Sequence, residues 1–158
     1  IRKKIKRIKK KGKLFDEMLQ KKIINQLEFS LTNDQKKTLD EINKDLSSSN
    51  KMFRLLQGDV GSGKTIVSLI AAYNTVNSGF QVAIMAPTEI LARQHFNFAK
   101  KLFQKKINIE LISGKSEYRS KKEILDKLVD DKIITKSKEQ KKQHHASMAI
   151  QVTKERNV

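Results

Sequence analysis

The chain has 158 residues, with 34 Lys and Arg against 17 Asp and Glu and no Cys. Its length allows about one domain, and the missing Cys excludes a disulfide framework, a thiolate zinc site and a Cys nucleophile. The net charge of +17 favours an anionic partner, but nine Lys/Arg without an acid fill residues 1–13 and seven against two acids fill 132–158, which leaves a middle of only +3.

Residues 1–28 read as a basic helical linker, with Ile1, Ile5, Ile8, Phe15, Met18 and Leu19 recurring near the helical period and Gly12 as a weak point. No run approaches the roughly 18 apolar residues of a membrane span, and the basic start is not followed by a signal-peptide apolar region. A soluble cytoplasmic protein without a membrane partner is therefore expected.

From Thr32, a plausible N-cap, an amphipathic helix runs to about Leu46 with Leu39, Ile42 and Leu46 on one face. The apolar run Met52–Leu56 predicts a strand, and Ile66–Val76 predicts a helix buried on several sides and stopped at Gly79. Val82–Ala86 predicts the next strand. Pro87 and Thr88 break it, and Ile90–Phe103 has helical spacing through Leu91, His95, Phe98 and Leu102. Ile107–Ile112 reads as a third strand and Tyr118–Leu128 as another helix. Alternation of this kind implies an α/β fold with a mostly parallel sheet. Residues 132–158 form an unassigned polar tail, in which the weakly apolar 146–152 reads as a strand or as nothing.

The strongest chemical signal is GDVGSGKT at 58–65, where three of the six Gly fall between 58 and 63. It satisfies G-x-x-x-x-G-K-[ST] between a predicted strand and a predicted helix. Gly58, Gly61 and Gly63 permit backbone conformations that a Cβ forbids, so N–H groups of Gly58, Asp59, Val60, Gly61, Ser62 and Gly63 can converge on phosphate at a helix N-terminus. Lys64 supplies a cation for the β- and γ-phosphates, and the Thr65 hydroxyl a ligand for Mg²⁺. The loop implies an NTP without choosing the work done with it.

Four stretches, FSLTNDQKKTLDEI at 29–42, FRLLQGDVGSGKT at 53–65, VAIMAPTEILARQH at 82–95 and LISGKSEYRSKKEIL at 111–125, resemble the first motor domain of superfamily 2 DNA helicases, most of all the RecG family. The motor of transcription-repair coupling factors is the runner-up, differing usually at the positions of Ser62 and Glu89. The resemblance covers about residues 29–128 and implies a RecA-like P-loop domain, incomplete over 29–131, that uses ATP and Mg²⁺. It further implies a monomer acting on branched DNA, at forks or Holliday junctions, in repair and recombination. Gln35 sits where the family reads adenine, and its amide can donate and accept at once, which favours ATP. Phe29 precedes it, either stacking on the base or stapled to the core. Pro87 and Thr88 match the turn that holds a DNA backbone, Arg93 and Gln94 lie one turn on, and Ser113 and Gly114 match a further DNA-facing turn beside Lys115 and Arg119. Glu89 would repel DNA and is expected to be structural. His95 is read as packed or surface, and His144 and His145 as tail residues without the further ligands a metal site needs.

Hydrolysis in this family needs the Asp and Glu of a D-E-x-H motif after a later strand. The only acids after Asp131 are Glu139 and Glu155, and neither follows a predicted strand. The chain thus reads as a truncated part of an ATP-dependent DNA helicase, binding ATP and DNA without turnover. The alternative is a non-catalytic binding module, a truncated P-loop domain that binds ATP, and DNA through its basic flanks, without turnover; a nucleic-acid or membrane-surface protein with an incidental loop is a third and weaker reading.

Overall fold

The computed structural model describes residues 12, 14–104, 106–112, 122–126 and 147–152. The chain divides into two compact units, Ile1–Ser78 and Gly79–Val158.

In the first unit, α1 spans Glu17–Ile24 and starts where the Asp16 carboxylate accepts from the N–H groups of Met18 and Leu19, at 2.8 and 3.3 Å. This is shorter than the helix expected over 1–28. The extended Asp16 backbone with its side chain turned onto the following N–H groups defines a helix start there, and residues 1–11 lie outside the described set. The stripe also differs: Met18 is 69% exposed, and the fully buried residue is Ile23.

Helix α2, Asn33–Ser47, begins at Thr32 as expected. Thr32 Oγ1 accepts from Gln35 N–H at 3.2 Å while Gln35 Oε1 accepts from Thr32 N–H at 2.9 Å, a reciprocal cap that satisfies two otherwise orphaned donors. Leu39 and Ile42 are buried beneath it.

The strand expected over 52–56 does not form. Phe53 and Leu55 are 66% and 78% exposed, and no described strand pairs with this run. A strand is held by a ladder on its neighbours; here the run is held instead by Arg54, which reaches Glu41 and Asp45 of α2 at 2.8 Å each. Helix α3, Lys64–Asn77, is buried from Ile66 through Val76 apart from Ser68. It stops at Ser78 and Gly79, whose φ of +79° suits glycine.

The second unit holds β1 (Val82–Ala86), α4 (Glu89–Phe103), β2 (Asn108–Ile112) and β3 (Ser147–Val152). Its sheet has the order β1-β3-β2 and is parallel throughout, with Ile84 opposite Ile150 and Leu111 opposite Ile150. The α/β expectation holds. Of the two readings of 146–152 the strand is the one that forms, and it is the central strand of the sheet; Glu155 therefore does follow a strand in the sequence, although its own position lies outside the described residues. Helix α4 packs on all three strands. Its buried residues are Ala92, Ala99, Leu102 and Phe103; of the expected series Leu102 is buried, His95 and Phe98 are half-buried, and Leu91 is 38% exposed. The two alanines have little bulk beyond Cβ, so this face can approach a sheet closely. Residues 122–126 are helical with Ile124 buried; the rest of the helix expected over 118–128 is outside the described set. Among the described residues no helix is long and apolar enough to cross a membrane.

Candidate nucleotide and nucleic-acid sites

The glycine loop folds on itself through Ser62 N–H donating to the Asp59 carbonyl at 3.2 Å. Gly61 and Gly63 have φ of +83° and +80°, the left-handed region where an L side chain is strained. Gly63 is also the N-cap of α3, and a Cβ on it would collide with the Gln35 side-chain nitrogen. Conformation is thus what favours glycine at 63, and an added Cβ would in addition push aside the end of the Gln35 side chain.

Lys64 turns its ammonium back into the loop, donating to the carbonyl oxygens of Gly58 at 2.7 Å and Asp59 at 2.5 Å, with Ser62 Oγ at 3.4 Å. Carbonyl oxygens carry only partial charge, whereas phosphate oxygens share full negative charge, so an ammonium gains an ion-pair attraction from phosphate that a carbonyl does not supply. An arriving phosphate would therefore compete well for this cation. The first N–H groups of α3 have no intrahelical carbonyl to bond and add positive potential at the same place. The donor set fits a polyphosphate. Thr65, second residue of α3, offers one hydroxyl to a metal. Among the described residues no group of three or more His, Cys, Asp or Glu could hold a cation. Mg²⁺ carried between one hydroxyl and the phosphates fits such a sparse protein contribution.

The Gln35 amide is engaged at both ends. Its oxygen closes the cap of α2, and its nitrogen donates to the Ser62 carbonyl at 3.0 Å. One N–H and one oxygen lone pair remain for a base. The cap was readable in the spacing of Thr32 and Gln35; the bond to the loop was missed, because nothing local to either segment signals it. Phe29 is 51% exposed and lines a cavity of about 460 Å³ with Ile24, Leu27, Leu31 and Lys36. The buried residue of this entry is Leu31, 3% exposed and immediately before the cap.

In the second unit, Pro87 and Thr88 follow the carboxyl end of β1, the edge at which ligands of parallel sheets collect. Thr88 caps α4, its Oγ1 accepting from Leu91 N–H at 3.3 Å, which leaves the hydroxyl proton free to be donated. Arg93 is paired with Glu89, through Nε at 3.2 Å and Nη2 at 2.8 Å on the same carboxylate oxygen. The pair leaves Arg93 mostly exposed. Gln94 is exposed one residue on. Ser113, Gly114, Lys115, Arg119, His144 and His145 lie outside the described residues. Within the first unit the structure thus gathers Gln35, Gly58, Asp59, Ser62, Gly63 and Lys64; within the second it gathers Thr88, Glu89 and Arg93.

The family model of DEAD/DEAH box helicases matches residues 32–153, which reaches through β3. The chain is similar to the ATP-dependent DNA helicase RecG of Borreliella burgdorferi, 46% identical over 111 residues, covering 70% of this chain and 16% of that protein. RecG of Bacillus subtilis is 46% identical over 113 residues, covering 71% of this chain and 17% of the relative. The chain thus spans about a sixth of the length of these curated relatives. Among solved structures, RecG bound to a three-way DNA junction matches with a TM-score of 0.76 and 31% identity, over 96% of this chain and 25% of that one.

Proposed function

As this chain belongs to the DEAD/DEAH box helicase family, we propose that it binds ATP with Mg²⁺ through residues 58–65 and DNA through the turn at Pro87 and Thr88, as part of the first motor domain of a RecG-like DNA helicase. The observation that carries the reading is the Lys64 ammonium held by the carbonyls of Gly58 and Asp59, in an exposed glycine loop that opens a helix. Gln35 and the cavity beside Phe29 are the proposed seat of the adenine. When bound, Mg²⁺ neutralises phosphate charge and Thr65 would hold it. Arg93 and Gln94 extend the DNA contact along α4, and Ser113 and Gly114 are proposed to add to it.

For the whole protein we propose ATP-driven work on branched DNA in repair and recombination, as a monomer in the cytoplasm. The similarity to RecG, and the three-way junction bound by the structural relative, support this. For these 158 residues we propose binding without turnover, because no D-E-x-H is among them.

The experiment assays the purified chain for ATP binding and for ATP hydrolysis with and without DNA. Binding that Lys64→Ala weakens at least about ten-fold, with no DNA-stimulated turnover, is the expected result. Turnover lost in Lys64→Ala would place catalysis within these residues, and absence of binding would remove the proposal.

A further inference from the structure

Three side-chain amides meet where α1, α2 and α3 pack together. Gln20 Oε1 accepts from Asn43 Nδ2 at 2.7 Å and from Asn74 Nδ2 at 2.5 Å, and Asn74 Nδ2 also lies 3.2 Å from Asn43 Oδ1. Asn74 is only 4% exposed, on a helix whose neighbouring positions, Tyr73 and Thr75 among them, are buried. A second tie lies one turn away: Ser78 Oγ donates to the Leu14 carbonyl at 2.6 Å. The segment 14–24 is thus fastened to the carboxyl-terminal end of α3, while Lys64 and Thr65 form its amino-terminal end.

We infer that Gln20, Asn43 and Asn74 form a register lock that makes α1 move with α3, so that nucleotide occupancy at the glycine loop and the position of α1 are thermodynamically linked. The inference rests on the nucleotide reading of the loop given above.

The physical reason lies in the difference between apolar and polar contact. Ile23, fully buried on α1, would find tolerable contacts after a small slip. The amides would not: a shift of one residue along a helix moves a side chain by about 1.5 Å and turns it by about 100°. Such a shift would leave the nearly buried Asn74 without its strongest acceptor, and an unsatisfied buried amide is costly. One arrangement of the three helices is therefore favoured over its neighbours. A helix packed along most of its length moves as a body, so a displacement of α3 at its phosphate end must either carry α1 or break the lock. By reciprocity, whatever repositions α1 must alter nucleotide affinity. Gln20 is in this sense a positioning residue, far from the phosphates in sequence and acting on them through α3.

The test is hydrogen exchange of the amides in 17–24 with and without a Mg²⁺-bound, non-hydrolysable ATP analogue, with binding measured separately. In the wild-type chain the analogue is expected to slow that exchange by about five-fold or more. Gln20→Met, which keeps the volume and removes the acceptor, binds the analogue but loses the slowing; Gln20→Glu, which keeps an acceptor oxygen at the position of Oε1, restores it. If Gln20→Met does not fold, Ser78→Ala cuts the second tie, together with the same hydroxyl's bond to the Asn74 carbonyl within α3, and is expected to reduce the slowing. Binding with unchanged α1 exchange in the wild type, or with full slowing in the folded Gln20→Met or in Ser78→Ala, overturns the inference alone. Failure of the wild-type chain to bind the analogue is a separate result, which removes the nucleotide reading and the inference with it.

Discussion

The Gln35 side-chain nitrogen donates to the Ser62 carbonyl at 3.0 Å, joining the cap of α2 to the glycine loop across 27 positions of sequence. The same amide closes the cap through its oxygen, so one side chain fixes both where α2 begins and where the loop lies. Gln35→Ala is expected to lower stability by about 1–2 kcal/mol, from a lost cap bond and an unpaired loop carbonyl, and to weaken nucleotide binding. Gln35→Glu keeps the cap but has no proton to give Ser62. Urea unfolding with nucleotide titration separates the two: the Glu variant should recover stability more fully than affinity.

Gly63→Ala meets two obstacles, a φ of +80° and a collision with Gln35. The conformational part alone costs about 1–2 kcal/mol, and relief of the collision displaces the residue that organises the loop. Loss of nucleotide binding together with a lower urea midpoint is the expected outcome. Gly61→Ala shares the strain, with nothing within 4 Å of the added carbon, and should be the milder change.

Gln104 ends α4 with a φ of +43°, the only described non-glycine residue in the left-handed region. Gln104→Gly removes that strain but adds freedom to the unfolded chain, so the net gain should be about 0.5–1 kcal/mol. Urea unfolding measures it, and DNA and nucleotide binding should be unchanged.

Glu89 and Arg93 are one turn apart, with Arg93 exposed to 59% of its side chain. An exposed pair of this spacing contributes about 0.3–0.5 kcal/mol. Glu89→Gln should thus leave folding nearly unaltered while strengthening DNA binding, since a negative charge leaves and the guanidinium is released. Arg93→Ala should weaken binding and reduce the salt slope by about 1 if it meets a phosphate. Fluorescence titration across several salt concentrations reads both.

Much of this architecture was legible because it is written locally. Thr32 and Thr88 cap helices from one side chain, Gly79 stops α3, and the strand Val82–Ala86 is a short apolar run bounded by turn residues. What escaped was non-local. Residues 52–56 have a strand's composition, yet a strand exists only where a neighbour supplies its ladder, and here Arg54 ties the segment to α2 instead. Ser147–Val152 is weakly apolar and lies far along the chain from β2, but pairing on both edges makes it the centre of the sheet. At the site, the loop's glycines and Lys64 follow from the motif, whereas the Gln35–Ser62 bond and the seating of Lys64 on Gly58 and Asp59 are properties of folded geometry.

The central claim is that this loop takes the polyphosphate of a nucleotide, with Lys64 exchanging carbonyl partners for phosphate oxygens. Equilibrium titration of the purified chain with a Mg²⁺-bound ATP analogue, wild type beside Lys64→Ala, tests it most directly. Loss of one charge-assisted contact of about 1.5–3 kcal/mol predicts an affinity at least about ten-fold weaker in the variant, with unfolding midpoints little changed. Equal affinity in the two proteins, or no saturable binding by the wild type, would contradict the account.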